Sequence, residues 1–138
     1  MDSEPYLALK TAMMPRDTNK YGTIFGGVLL SYIDLAAGIG AHHFVRSKGW
    51  PEHALVTVAM DRIEFKQAVF VGDTVSFWTN VERIGNTSIT LLVSVETERN
   101  LETIQVTQAS ATFVAISESG AHRSAVPLRG SASEDMGG

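Results

Sequence analysis

The chain has 138 residues, of which 44% are hydrophobic and 19% charged, with a formal net charge of −4 and no cysteine. That length fits one domain with a real hydrophobic core, and the acidic balance argues against a nucleic-acid binder. The missing cysteine excludes a disulfide framework, a Cys-ligated metal and a thiol nucleophile, and is compatible with the cytoplasm.

The first ten residues include Asp2, Glu4 and Pro5 and have no apolar signal-peptide core. Tyr6 to Met13 reads as a short strand. A loop follows, marked by Pro15, Asn19 and Gly22, and Gly26-Gly27 leads out of it. From there to Lys48 the pattern is helical, with Gly49 and Pro51 as the stop. Such a helix is about 33 Å long at ~1.5 Å per residue. It is apolar nearly all round, which marks a buried helix. The stretch from Thr23 to Ala41 is also long enough to cross a bilayer. Asp34 in its middle, at a cost of about 3 kcal/mol, and its four glycines favour packing against protein instead.

Strands follow the helix. Val56, Val58 and Met60 alternate on one expected face, whereas Ile63 and Phe65 take the opposite parity. That change of phase predicts a β-bulge near Asp61-Arg62. Val71-Gly72-Asp73 is a turn. Val75, Phe77, Thr79 and Val81 then alternate with polar partners as far as Ile84. Gly85-Asn86 predicts a tight hairpin turn. The next strand presents Ile89, Leu91, Val93 and Val95 on one face, a turn covers Glu98 to Asn100, and a last strand runs from Thr103 to Ile116. Small residues at Ala109, Ser110 and Ala111 leave room for a helix. The domain is thus expected over residues 1–117. Residues 118–138, rich in Ser, Gly and Ala, read mostly as a mobile tail in which Val126 to Leu128 dock locally.

One long apolar helix with about five antiparallel strands is an α+β layer. A helix apolar on all sides needs a sheet curled around it, the arrangement called a hotdog.

Asp34 is the residue that this picture leaves unexplained. A lone carboxylate in a dry helix is costly unless it is paired, hydrogen-bonded or beside a cavity. It suits a general base or a nucleophile. It equally suits a cap on a neighbouring element or an ion pair between subunits. Gly26 and Gly27 allow close approach to the backbone at the helix start. There the free N–H groups and the helix dipole favour a developing oxyanion; a plain helix entry is the simpler reading. Seven residues separate Gly27 from Asp34, so they share a face but stand about 10 Å apart along the axis. One chain's Asp34 and Gly27 therefore do not touch the same carbonyl carbon, and a site completed by a second subunit answers this most simply. Asn19 orients a water or a carbonyl, or forms an Asx-turn.

The run Pro15-Arg16-Asp17-Thr18-Asn19 with Gly22, Ile24-Phe25-Gly26-Gly27, Leu30-Ser31 and Asp34 resembles the acyl-CoA thioesterase family of the hotdog superfamily, in its single-domain bacterial form. Val56-Thr57-Val58-Ala59-Met60-Asp61, Phe65, Val71-Gly72-Asp73 and Gly85-Asn86-Thr87-Ser88 extend the match, which covers roughly Met13 to Phe113. Phe25 stands where many relatives have His. The resemblance implies hydrolysis of fatty or short-chain acyl-CoA to the free acid and CoA, with no cofactor beyond the CoA of the substrate. It implies a homodimer, often three dimers together, with Asp34 set opposite the partner's Asn19 and Gly27 as oxyanion donor. It also implies CoA contacts at Gly26 and at Gly85, Thr87 and Ser88, with Arg62, Lys66 and Arg83 as candidates for the phosphates. Each of these three cations equally reads as a solvated surface charge.

Two other classes share this fold or ligand. A hotdog dehydratase needs a His paired with an acid, and His42 and His43 lie far along the helix from Asp34. A non-catalytic acyl-CoA sensor has no need of Asp34. Metal binding is disfavoured because adjacent helical histidines point about 100° apart. Neither a membrane nor a nucleic acid is an expected partner.

Overall fold

The computed structural model describes residues 4–117 and 124–130. Strand β1 (Tyr6–Ala12) and a short 3-10 turn (Pro15–Asp17) precede helix α1 (Gly26–Ser47). Strands β2 (Ala54–Phe65), β3 (Thr74–Ile84), β4 (Ser88–Arg99), β5 (Glu102–Ser117) and the two-residue β6 (Ser124–Ala125) follow. The sheet order is β1-β3-β4-β5-β2, with β6 added beside β5, and every pairing is antiparallel. This is the hotdog arrangement, with β1 and β2 as its edges.

The alternation in β3 and β4 is realised as expected. Val75, Phe77, Thr79 and Val81 are buried beneath the helix, as are Ile89, Leu91, Val93 and Val95. The helix meets them through Leu29, Ile33, Ala36, Ala37, Ala41, Phe44 and Val45. Gly40 is the point of closest approach: a Cβ there would lie 2.3 Å from Thr79 Oγ1 and 2.8 Å from its Cβ. Only glycine lets α1 settle onto β3 at this depth. Thr79 Oγ1 in turn donates to Tyr6 O at 3.2 Å, tying β1 to the same spot.

Two expectations need correction. The helix is not covered on all sides: Gly27, Ser31 and Leu35 are exposed, and Asp34 is half-buried. The sheet curls under one face and leaves the other open. Val56, Val58 and Met60 do not share a face either. A register shift between Thr57 and Ala59 makes Val58 an extra residue, so Leu55, Thr57 and Met60 pair with the buried Ala115, Phe113 and Ala111. The second irregularity, between Asp61 and Glu64, is the bulge that the phase change predicted; Arg62 there has a left-handed backbone, φ 52°. A third adjustment is small: the β4–β5 turn is Asn100-Leu101, one residue beyond the expected span.

The hairpin end at Gly85-Asn86 is tied to the C-terminal segment. Leu128 N donates to Asn86 O at 2.8 Å, Val126 N donates to Ala115 O at 2.9 Å, and Leu128 is buried. Val126 to Leu128 dock as expected; the rest of the expected tail, 118–123 and 131–138, lies outside the described residues.

Candidate active site

Asp34 projects from the open face of α1 toward β2. Thr57 Oγ1 donates to Asp34 Oδ1 at 2.6 Å. This short charge-assisted bond spans 23 positions of sequence and fixes one carboxylate oxygen. The other oxygen is left for a ligand or water. Thr57 pairs with the buried Phe113 immediately before the bulge at Val58 and is itself exposed. Thr57 was part of the resembling strand, yet nothing in its local pattern singles it out; only the fold shows what its hydroxyl meets.

The helix start carries no capping side chain and no acidic residue in its first turn. Val28 N and Leu29 N both donate to Phe25 O, at 3.0 and 3.4 Å. Among the described residues the Gly26 and Gly27 amides have no protein acceptor, so two donors and the positive end of the helix dipole remain available to an anion. Gly26 packs on the Phe65 ring. Gly27 lies under the Phe25 ring, where a Cβ would come within 3.0 Å of a ring carbon. A cavity of about 340 Å³ opens beside this turn, lined by Thr23, Gly26, Leu29, Phe65 and Lys66.

Asn19 is held by its own loop. Its Oδ1 accepts from Tyr21 N at 2.8 Å and Thr23 N at 3.3 Å, and its Nδ2 donates to Thr23 Oγ1 at 2.9 Å. This is the Asx-turn reading in detail. One Nδ2 hydrogen remains to face outward. Asn19 belongs to the loop that leads into α1, where Thr18 bridges Ile24 and Phe25 N donates to Asp17 O at 2.8 Å.

The loop beneath that end is strapped in place. Arg99 Nη2 donates to Asp73 Oδ2 at 2.6 Å and to Ala68 O at 2.7 Å. Ile24 N donates to Val69 O at 2.7 Å, so the same loop anchors the entry to α1. Asp73 is thereby a structural residue, matching its expected role in a turn.

The CoA candidates are dispersed within one chain. Arg62 forms an ion pair with Glu82 and donates to Ser110 Oγ at 2.8 Å. Lys66 Nζ donates to Gln105 Oε1 at 2.8 Å. Arg83 is exposed on β3 and lines a shallow cleft with Asp61, Arg62 and Glu82. Gly85 N donates to Ser88 O at 2.8 Å, and Thr87 O accepts from Ala115 N at 2.8 Å. That hairpin is tied through Asn86 O to Leu128 N, beside Arg129 over the Trp50 ring just past the C-terminal end of α1, whereas Gly26 and Lys66 line the cavity at the N-terminal end. His43 stacks on Tyr6 with ring centroids 3.7 Å apart, by a separate cleft of about 520 Å³ that also includes Gly40 and Lys48. It does not approach Asp34. Among the described residues no trio of His, Asp or Glu is grouped to hold a metal ion.

One long helix laid on a curved antiparallel sheet defines the class of protein: a hotdog-fold domain. Residues 21–104 match the model of the thioesterase superfamily. The acyl-CoA thioester hydrolase YciA of Salmonella typhimurium is 31% identical over 137 residues, covering 94% of this chain and 98% of that protein. A hexameric hotdog-fold thioesterase of Campylobacter jejuni is 37% identical, with a TM-score of 0.73 over 87% of this chain and 89% of that one. A hexameric thioesterase of Yersinia pestis is 33% identical, with a TM-score of 0.75 over 91% and 98%. The chain belongs to the thioesterase superfamily, among its acyl-CoA thioester hydrolases.

Proposed function

We propose that this chain hydrolyses acyl-CoA thioesters, with Asp34 as general base in a site shared by two subunits. The observation that carries the reading is the Thr57–Asp34 bond on the open face of α1: a carboxylate oriented by one oxygen, on a face that its own sheet leaves bare.

The subunits join along β2. It is a 12-residue edge strand with exposed Val58, Ile63 and Phe65, next to exposed Leu35 of α1 and Phe25 at its N-cap. An edge of this length and apolar character is a template for pairing. Antiparallel pairing of two β2 strands about a twofold axis puts the C-terminal end of one α1 beside the N-terminal end of the other. The Gly85–Ser88 hairpin and Arg83 of one protomer then approach Gly26, Gly27, Asn19 and Lys66 of its partner, so the dispersed CoA candidates converge only in the dimer. Because Arg62 is neutralised by Glu82, Lys66 and Arg83 are the better candidates for phosphates. Three such dimers form a hexamer, as in the two hexameric relatives.

In the reaction, Asp34 takes a proton from a water as its oxygen attacks the thioester carbonyl carbon. The tetrahedral oxyanion forms opposite the partner's Gly27, whose N–H donates to it. The partner's Asn19 orients the water through its remaining Nδ2 hydrogen. Collapse breaks the C–S bond, and the departing thiolate takes the proton back from Asp34. The products are the free acid and CoA, and no cofactor enters. The cytoplasm is the setting proposed for this chemistry. The long apolar helix, which by length alone would cross a membrane, is here the core helix of the domain.

Thiol release from a panel of acyl-CoAs of increasing chain length tests the proposal, with Asp34→Asn as control. Hydrolysis that persists at the wild-type rate in Asp34→Asn overturns the assigned chemistry. A monomer that turns over at the wild-type rate overturns the shared site.

A further inference from the structure

The tip of the β4–β5 hairpin combines strain with exposure. Asn100 and Leu101 both have left-handed backbones, φ 53° and 65°, between the paired residues Arg99 and Glu102. A two-residue turn of this kind takes Asn readily at its first position and favours glycine at its second. A leucine there meets the steric conflict of Cβ with the backbone. Burial of its side chain does not offset that conflict within the protomer, because Leu101 is 91% exposed, the most exposed large apolar residue among the described residues. Strain of this kind persists where the surroundings or a function maintain it.

The base under the tip is rigid. Arg99, one residue before it, holds Asp73 and Ala68 by hydrogen bonds, and its guanidinium lies 5.1 Å from the Phe70 ring centroid. Gly72 N donates to Met13 O and Met13 N to Asp73 O, at 3.0 and 2.9 Å. These bonds gather the exposed Phe70, Val71 and Met14 at the same end of the molecule as Leu101. The Arg99 charge is satisfied by Asp73, so the end presents apolar side chains on a strapped frame. Through Phe65, itself exposed, this end is continuous with the open edge of β2.

We infer that Leu101, with Phe70, Val71 and Met14, forms the contact by which dimers of this chain join into the hexamer. The inference rests on the shared-site dimer and hexamer proposed above. The occupant is a second copy of the chain from a neighbouring dimer. The β2 edge is used up by the twofold pairing, and joining three dimers needs a second surface on each chain; one apolar patch meeting its own copy about another twofold axis supplies it. A rigid apolar knob continuous with the first interface fits that need, and hexamers occur in relatives 33% and 37% identical.

The test is sedimentation velocity at micromolar concentration on the full chain and on Leu101→Asn, which keeps the left-handed backbone and removes the apolar knob. Leu101→Gly, which relieves the strain as well, serves as the second variant. The expected result is a wild-type mass of six chains and a mass of two chains for both variants, with thioester hydrolysis per chain within threefold of wild type. Variants that remain hexameric overturn the inference while leaving the hexamer reading intact. A wild-type dimer overturns both. A hexameric Leu101→Asn with a KM for acyl-CoA raised tenfold or more also overturns it, assigning the tip to substrate instead.

Discussion

The two long faces of α1 are built from similar residues and do opposite work. The packed face carries Leu29, Ile33, Ala36, Ala37, Gly40, Ala41 and Phe44, all buried against the sheet. The open face carries Gly27, Ser31 and Leu35, all exposed, with the half-buried Asp34 at its margin. On the first face each side chain is fitted to a neighbour, and its value is stability. On the second an apolar residue such as Leu35, 52% exposed, gains nothing within the protomer, and a carboxylate is held ready by a single hydroxyl. Fit against the chain's own sheet therefore separates folding from function more cleanly than hydrophobicity does.

Substitutions on the two faces should part company in what they change. The largest effect belongs to the open face. Asp34→Asn is expected to lower kcat about 10³-fold, within the range that general-base catalysis supplies, while the thermal melt stays within a few degrees of wild type. A melt that collapses along with activity would place Asp34 among the structural residues. Next is Ile33→Ala on the packed face. The side chain is fully buried, so denaturant titration should show a loss of about 2–5 kcal/mol, with the activity of the remaining folded protein retained.

Thr57→Val probes the link between the faces. Losing one hydrogen bond to a charged group, about 1.5–3 kcal/mol, corresponds to a fall in kcat of roughly 10–100-fold with KM little changed. Thr57→Ser should restore most of it, because the hydroxyl and not the methyl holds the carboxylate. Equal activity in the valine and serine variants would remove Thr57 from the site. The smallest effect is Gly40→Ala. The added methyl meets Thr79, and overpacking of this kind costs about 1–3 kcal/mol. The same substitution at Gly38, where a Cβ would come no closer than 3.7 Å to Phe113, should cost less. Urea titrations of the two variants compare them directly.

Much of this was legible along the chain because it is written in local periodicity. The helix from Gly26 to Ser47, the β3 and β4 core residues, the Gly85-Asn86 turn and the bulge at Asp61-Arg62 each follow from spacing or a change of phase. The bulge at Val58 did not, because its flanking residues still alternate in polarity as if the strand were regular. Polarity alone therefore puts Val56 and Met60 on one face, which the extra residue at Val58 separates. The turn before β5 reads one residue early from the sequence because Asn100 is a good turn residue and Leu101 a poor one.

The sequence by itself determined that one acid lies within an otherwise apolar helix followed by antiparallel strands, and that Gly27 and Asp34 lie about 10 Å apart along a common face. Periodicity carries such information because the rise and turn of a helix depend on the backbone alone. Only the tertiary structure decided which face of that helix is bare, that Thr57 holds Asp34 from 23 positions away, and that Arg62 is already paired with Glu82 from 20 positions away. A helix apolar on every side has no periodic signal to tell a face covered by its own sheet from one left for another subunit. That choice is made by where β2 ends the sheet.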